Sequence, residues 1–154
     1  MPARPVLKSL PENPCEVLTA REISAAVGKT VTGGRRAPDI GEIIRADKET
    51  RLPRERAVCS YDTMNEFGSV VIIVPAASDQ NAAAFEKTRD EYARRARPVR
   101  IDGLGEDAWM EGGAALHVLA GKNAQFIVAT RTVRDDTREM EIAVARAILA
   151  RLGR

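Results

Sequence analysis

The chain reads as an α+β domain, an antiparallel sheet with helices packed on it, and three observations predict this. Short apolar or alternating segments of strand length recur at 56–62, 68–75, 107–111, 115–120 and 124–133, and turn sequences rich in glycine and asparagine separate neighbouring ones. Successive strands of that kind join as hairpins. Three segments with helical apolar spacing stand before, between and after the strands, each with start or stop signals. Of the 154 residues 44% are hydrophobic but only 4% aromatic. The core is therefore built from Val, Ile, Leu and Ala, which suits a sheet under alanine-rich helices. A single domain of this length buries roughly 68–70% of its unfolded surface and can fold without help.

Residues 1–14 carry four prolines and read as an extended lead-in to one domain over 15–154. The first helix, 17–28, is the best punctuated. Thr19 with Glu22 makes a capping box, Leu18 and Ile23 take the hydrophobic-staple positions, and Gly28 supplies the stop. A short strand at 29–32 ends at Gly33-Gly34. Residues 35–56 interleave charges with Ile40, Ile43, Ile44 and Leu52 and read as one long loop, a length often associated with function or disorder. Strands at 56–62 and 68–75 follow, joined by a turn at 64–68. Asp79 is placed to cap a second helix from Gln80 to about Ala96, ended by Pro98. Its inner side is expected to carry Phe85, Tyr92, Ala93 and Ala96.

Strands at 107–111, 115–120 and 124–133 come next, separated by Gly112-Gly113 and by Gly121-Lys122-Asn123. The third helix is capped by Asp136, with Glu139 in the capping-box position, and runs to about Leu152. Met140, Val144, Ile148 and Leu152 form its apolar strip, while Arg138, Glu141, Arg146 and Arg151 lie mostly off it. The two halves share a plan of one helix followed by three strands, which would make a duplicated unit.

Charge is high at 30% but nearly balanced, at +2. No basic face interleaved with aromatics stands out, so nucleic acid is not an expected partner. No stretch approaches the ~20 apolar residues of a membrane span. The opening residues also lack the apolar segment of a signal peptide. Cys15 sits just before the first helix and Cys59 within a strand. A bridge between them would close a loop of about 45 residues and pin helix to sheet, which implies an extracytoplasmic location. In the alternative the chain is cytoplasmic, both thiols are free, and Cys59 is a small buried strand residue.

Further signatures extend that reading. The run Asn13-Pro14-Cys15-Glu16-Val17-Leu18-Thr19-Ala20-Arg21-Glu22 opens the first helix, and Cys59-Ser60-Tyr61 places an aromatic two residues after the second cysteine. Gly103-Leu104-Gly105-Glu106-Asp107-Ala108-Trp109 precedes the second set of strands. With the closing helix at 142–152, these resemble a family of secreted actinobacterial lipoproteins of unknown function. The resemblance covers most of residues 13–152 and implies a Cys15–Cys59 disulfide, an extracytoplasmic location and often a lipid anchor upstream. It implies no activity. The residues before Cys15, Glu12-Asn13-Pro14, are not a lipidation signal, so Cys15 is not the lipidated cysteine.

Reactive constellations are sparse. The one histidine, His117, alternates with Leu116 and Val118 and faces water or ends a sheet face; it has no partner at ligand or catalytic spacing. Gly103-Leu104-Gly105 and Gly33-Gly34 lack the spacing of phosphate-binding loops and read as bends. Glu106, Asp107 and Glu111 flank Trp109 as an acidic edge without a calcium-loop pattern. Trp109 is either a core side chain or a half-exposed contact residue at a strand start.

No catalytic residue, metal or cofactor is expected. The leading function is a non-enzymatic extracytoplasmic binding module for an unknown protein, cell-envelope component or small apolar ligand. Its contact surface would combine loop 35–56, including Arg45 and Arg51, with the rim of Trp109, Glu106, Asp107 and Glu111. The runner-up is a small-molecule-binding or hydrolytic domain with a pocket between sheet and helix, drawing on His117, Glu111, Tyr61 and Arg131.

Overall fold

The structure, a computed structural model, describes residues 5–11, 13–37, 57–63, 68–75, 79–112, 115–121, 124–132 and 137–154. Among them seven strands form one antiparallel sheet: β1 (Arg35–Ala37), β2 (Ala57–Asp62), β3 (Gly68–Val74), β4 (Val99–Arg100), β5 (Asp107–Glu111), β6 (Ala115–Gly121) and β7 (Ala124–Thr132). The helices are α1 (Ala20–Val27), α2 (Asn81–Ala93) and α3 (Arg138–Arg151), and Pro14–Glu16 form a 3-10 turn. The fold is α+β, with spatial strand order β1-β2-β3-β7-β6-β5-β4.

Register assigns the two faces. Residues directly opposite across antiparallel strands share a face. One such row runs Cys59, Ile72, Val128, Leu116, Met110, Val99; the neighbouring row on the other face runs Val58, Ile73, Ile127, His117, Trp109, Arg100. The first face carries the main core, where Ile23 of α1 and Val144, Ala145, Ile148 and Leu149 of α3 pack with the strands. On the second face α2 lays Phe85 against Trp109 and Leu119. Every residue of β6 is consequently buried.

The strand order is what two three-stranded units meeting at their last strands would give. A two-fold exchanging β3 with β7 would keep helices on one face, however, and α1 and α2 lie on opposite faces. The architecture does not establish a duplication.

Local signals explain α1. Thr19 Oγ1 accepts from the Glu22 N–H, the Glu22 carboxylate accepts from the Thr19 N–H, and Gly28 closes the helix in the left-handed region at φ 72°. Such a capping box satisfies two otherwise orphaned donors. The other two helices start differently from expectation. Gln80 and Thr137 are the N-caps and neither makes a side-chain cap hydrogen bond; Asp79 lies exposed in the preceding turn, and Asp136 lies outside the described residues.

Two further elements correct the sequence reading. Residues 35–37, read as loop, pair with β2 as an edge strand, and the strand expected at 29–32 is a single bridge between Val31 and Thr63. On α2 only Asn81 and Phe85 are buried, and Ala93 and Ala96 are exposed.

The segment 13–18 is held from three sides. Cys15 is bonded to Cys59 of β2, with Cα atoms 5.1 Å apart, and Asn13 Oδ1 accepts from the Cys15 N–H. Tyr61 Oη donates to the Leu18 carbonyl at 2.7 Å, and Arg151 Nε donates to the Val17 carbonyl at 3.3 Å. Arg151 also donates to the Pro5 carbonyl, and its own carbonyl accepts from the Leu7 N–H. Arg151 was expected on the solvent side of α3 and is instead buried; Glu141 is buried too.

Candidate functional site

On the second face, the cross-strand pairing of Trp109 with His117 brings their rings into parallel contact. Centroids are 4.1 Å apart and the planes differ by 4°. Tyr92 of α2 adds a tilted ring 5.3 Å from Trp109. An ion pair between Arg89 and Asp107 at 2.8 Å and a hydrogen bond from Gln125 to Asn81 clip α2 onto this face. Trp109 is 1% exposed, so it is a core side chain and offers no half-exposed edge to a partner.

His117 Nε2 lies 3.5 Å from Glu111 Oε1, long for a hydrogen bond. Both His117 Nε2 and Trp109 Nε1 are buried without a hydrogen-bond partner among the described residues. His117 does not face water, because α2 covers its side of β6.

The expected acidic edge is divided. Asp107 is committed to Arg89 and Glu111 lies beside His117, whereas Glu106 borders a pocket elsewhere. Arg45 and Arg51 lie outside the described residues. Of the runner-up set, only His117 and Glu111 come together. Tyr61 belongs to the opposite face, in the main core, and the side chain of Arg131 lies outside the described residues.

At one end of the sheet an open pocket of about 700 Å³ is lined by Gly103, Leu104, Gly105, Glu106, Ala120, Arg146, Leu149 and Arg154. The bend 103–106 shapes one wall. Gly103 and Gly105 have φ of 81° and 59°, a region glycine enters without steric cost. Gly105 also sits so close to β6 that a Cβ there would meet the Leu119 carbonyl oxygen at 2.6 Å. The next N–H, of Glu106, donates to that oxygen at 2.9 Å. Leu104 turns into the main core. The bend reading of Gly103 and Gly105 is thus observed, and it also forms the pocket wall.

A third polar site lies inside the main core. Glu141 of α3 is fully buried; its Oε1 accepts from Thr137 Oγ1 at 2.9 Å and from Thr130 Oγ1 at 3.4 Å, while Oε2 has no partner among the described residues. Burial pushes its pKa from 4.5 to about 7, against the lowering effects of the two hydroxyl hydrogen bonds and of Arg138.

Among the described residues no three His, Cys, Asp or Glu side chains gather as metal ligands, and no helix is long and apolar enough to cross a membrane. Compared with protein-family models, curated proteins and solved structures, the chain matches none. Sequence reasoning missed Arg146 and Arg154 as site residues. The pocket joins segments 103–106, 120 and 146–154, which share no spacing pattern, and Arg146 reads as one more solvated helix charge.

Proposed function

We propose that this chain is a non-enzymatic extracytoplasmic binding module that takes a small ligand in the pocket between the 103–106 bend and α3. The lining of that pocket carries the reading. The exposed Arg146, Arg154, Glu106 and the glycine bend form its mouth, Leu104, Ala120 and Leu149 lie buried beneath, and its volume falls within the ~300–1,000 Å³ of small-molecule sites. Among the described lining residues Glu106 is the only group suited to proton transfer, and there is no Ser, Cys, Lys or His to act as nucleophile, which favours binding over catalysis. The bonded Cys15–Cys59 pair supports work in an oxidising compartment, and fits the resemblance to secreted lipoproteins.

The test is a ligand panel read first by melting temperature and then by amide chemical shifts. A ligand at 100 times its dissociation constant adds ~2.7 kcal/mol, a shift of several degrees at this size. The expected perturbations cluster at 103–106, 120–121 and 146–154. Hits whose perturbations map elsewhere would refute this pocket as the site.

A further inference from the structure

We propose that the first turn of α3 is a proton-operated clasp: neutral Glu141 docks it against β7, and ionised Glu141 releases it into water.

Two observations make this turn a separable unit. Its buried side chains are polar: Thr137 and Glu141 are buried, Arg138 and Glu139 are exposed, and Met140 and Ile142 are half-buried. The buried apolar anchors of the helix begin only at Val144 and continue through Ala145, Ile148 and Leu149. The turn is also held through Glu141 rather than by a cap. Thr137 occupies the N-cap position but makes no side-chain cap hydrogen bond. Its hydroxyl donates to Glu141 Oε1, which also accepts from Thr130 Oγ1 of β7. One carboxyl oxygen thus joins the helix start to the sheet.

That joint suits a neutral carboxyl and not a charged one. Oε2 is buried with no donor on it among the described residues, and a buried charge without partners is costly. The surroundings offer little relief. On β6 the one titratable side chain, His117, belongs to the opposite face, and the side chain of Arg131 of β7 lies outside the described residues. On α1 Arg21 is exposed and Glu22 is engaged in its capping box. Tyr61 of β2 shares a row with Thr130 through Val70 and donates to the Leu18 carbonyl. Burial raises the Glu141 pKa from 4.5 to about 7 against the lowering effects of Thr137, Thr130 and Arg138 of α3 itself. Segments held by few apolar contacts open locally, and a carboxylate that gains solvation only in the open form drives that opening as pH rises. Release therefore falls between the ordinary pKa and the buried one. It still gives up the burial of Thr137 and part of Ile142, so ionisation keeps a cost for the fold as a whole.

The experiment measures amide hydrogen exchange of the intact, disulfide-bonded chain at pH 4 and 8, relative to unprotected peptide at the same pH. The reporting amides are Glu141, which donates to the Thr137 carbonyl, and Ile142 and Ala143, whose helical acceptors are Arg138 and Glu139. Ile148 and Leu149 are the internal control. The expected result is clear protection of 141–143 at pH 4. At pH 8 these amides exchange within about tenfold of unprotected peptide, while 148–149 stay at least about 100-fold better protected. Glu141→Gln keeps 141–143 protected at pH 8. In the unmodified chain, the carboxyl carbon shift of Glu141 titrates with the same midpoint as the loss of protection. Amides 141–143 as protected at pH 8 as at pH 4 overturn the clasp, and so does a loss that reaches 148–149 equally. Release that persists in the Gln variant, or whose midpoint departs from the Glu141 titration, overturns Glu141 as its operator.

Discussion

Glu141→Gln should raise stability at alkaline pH and leave it nearly unchanged in acid. The carboxyl is fully buried and, among the described residues, one oxygen has no partner, so ionising it in the folded state leaves a charge solvated there through Thr130, Thr137 and the field of Arg138. The folded pKa of about 7 stands above the ordinary 4.5. A folded state that holds its proton more tightly gains stability from this group below pH 4.5, loses it progressively up to pH 7, and has none left above. The difference of ~2.5 pH units corresponds to about 3 kcal/mol at 1.36 kcal/mol per unit.

Glutamine is neutral at every pH and keeps an oxygen to accept from the two hydroxyls. Its amide replaces the protonated oxygen with little change at pH 4, and by pH 8 the variant should be the more stable by up to about 3 kcal/mol. Urea denaturation of both proteins at pH 4, 6 and 8 measures this, because the difference between them cancels every other titrating group. A difference that does not change with pH would refute the reasoning, since it would mean that Glu141 reaches water or a cation when ionised.

Three further outcomes follow from the packing. Replacing Cys15 and Cys59 by Ser should cost up to about 4 kcal/mol for a loop of this length; finding two alkylatable thiols in protein from an oxidising host would sink both the bridge and the extracytoplasmic reading. Ile148→Ala should cost about 2–5 kcal/mol, and Arg151→Ala about 1.5–3 kcal/mol because its charged hydrogen bonds to the Val17 and Pro5 carbonyls are lost; a surface-sized loss at Arg151 in denaturant titration would mean the latch does not form. Gly34→Ala should destabilise by about 1–3 kcal/mol, since its Cβ would lie 2.6 Å from Cys59 Sγ and 2.7 Å from the Tyr61 ring. Gly33→Ala meets nothing within 4 Å among the described residues and is the control; equal midpoints for the two would place the chain differently around the disulfide.

What the sequence revealed depended on how local the governing physics is. The capping box at Thr19 and Glu22 and the left-handed Gly28 act within one turn, so α1 was legible to within a few residues. β2, β3, β5, β6 and β7 were legible from their apolar content. β1 was not, because Arg35-Arg36-Ala37 carries no apolar pattern and is a strand only through pairing with the edge of β2. The buried face of α3 differs from the spacing-of-four expectation for a geometric reason. Apolar residues spaced by four drift by about 40° per step on a helix that advances 100° per residue. The buried set instead mixes spacings of three and four: Glu141, Val144, Ala145, Ile148, Leu149. Met140 and Leu152 fall to its fringe, and Glu141 and Arg151 enter because each finds polar partners there.

His117 shows why the site was harder to read than the fold. Alternation correctly placed it on the face opposite Leu116 and Val118. That face is not water, because α2 lays Phe85 over Trp109 and Leu119, and a strand buried on both sides gives its polar residues no visible distinction from its apolar ones. The same double cover restricts where a ligand can reach this sheet. With β6 buried along its length, access is left to the strand ends, where the backbone turns and side chains from distant segments converge. Glu106 enters β5 at such an end, Ala120 closes β6 beside it, and Arg146 and Leu149 arrive from α3. If the pocket is the working site, substitutions at Arg146 or Glu106 change binding while stability stays within about 0.5 kcal/mol, as for surface positions. Substitution at His117 should do the reverse, loosening the α2 layer without altering binding on the α3 face. Comparing melting temperature with ligand affinity in those three variants separates the two roles; a binding loss on His117→Ala as large as that on Arg146→Gln would place the working site on the α2 face instead.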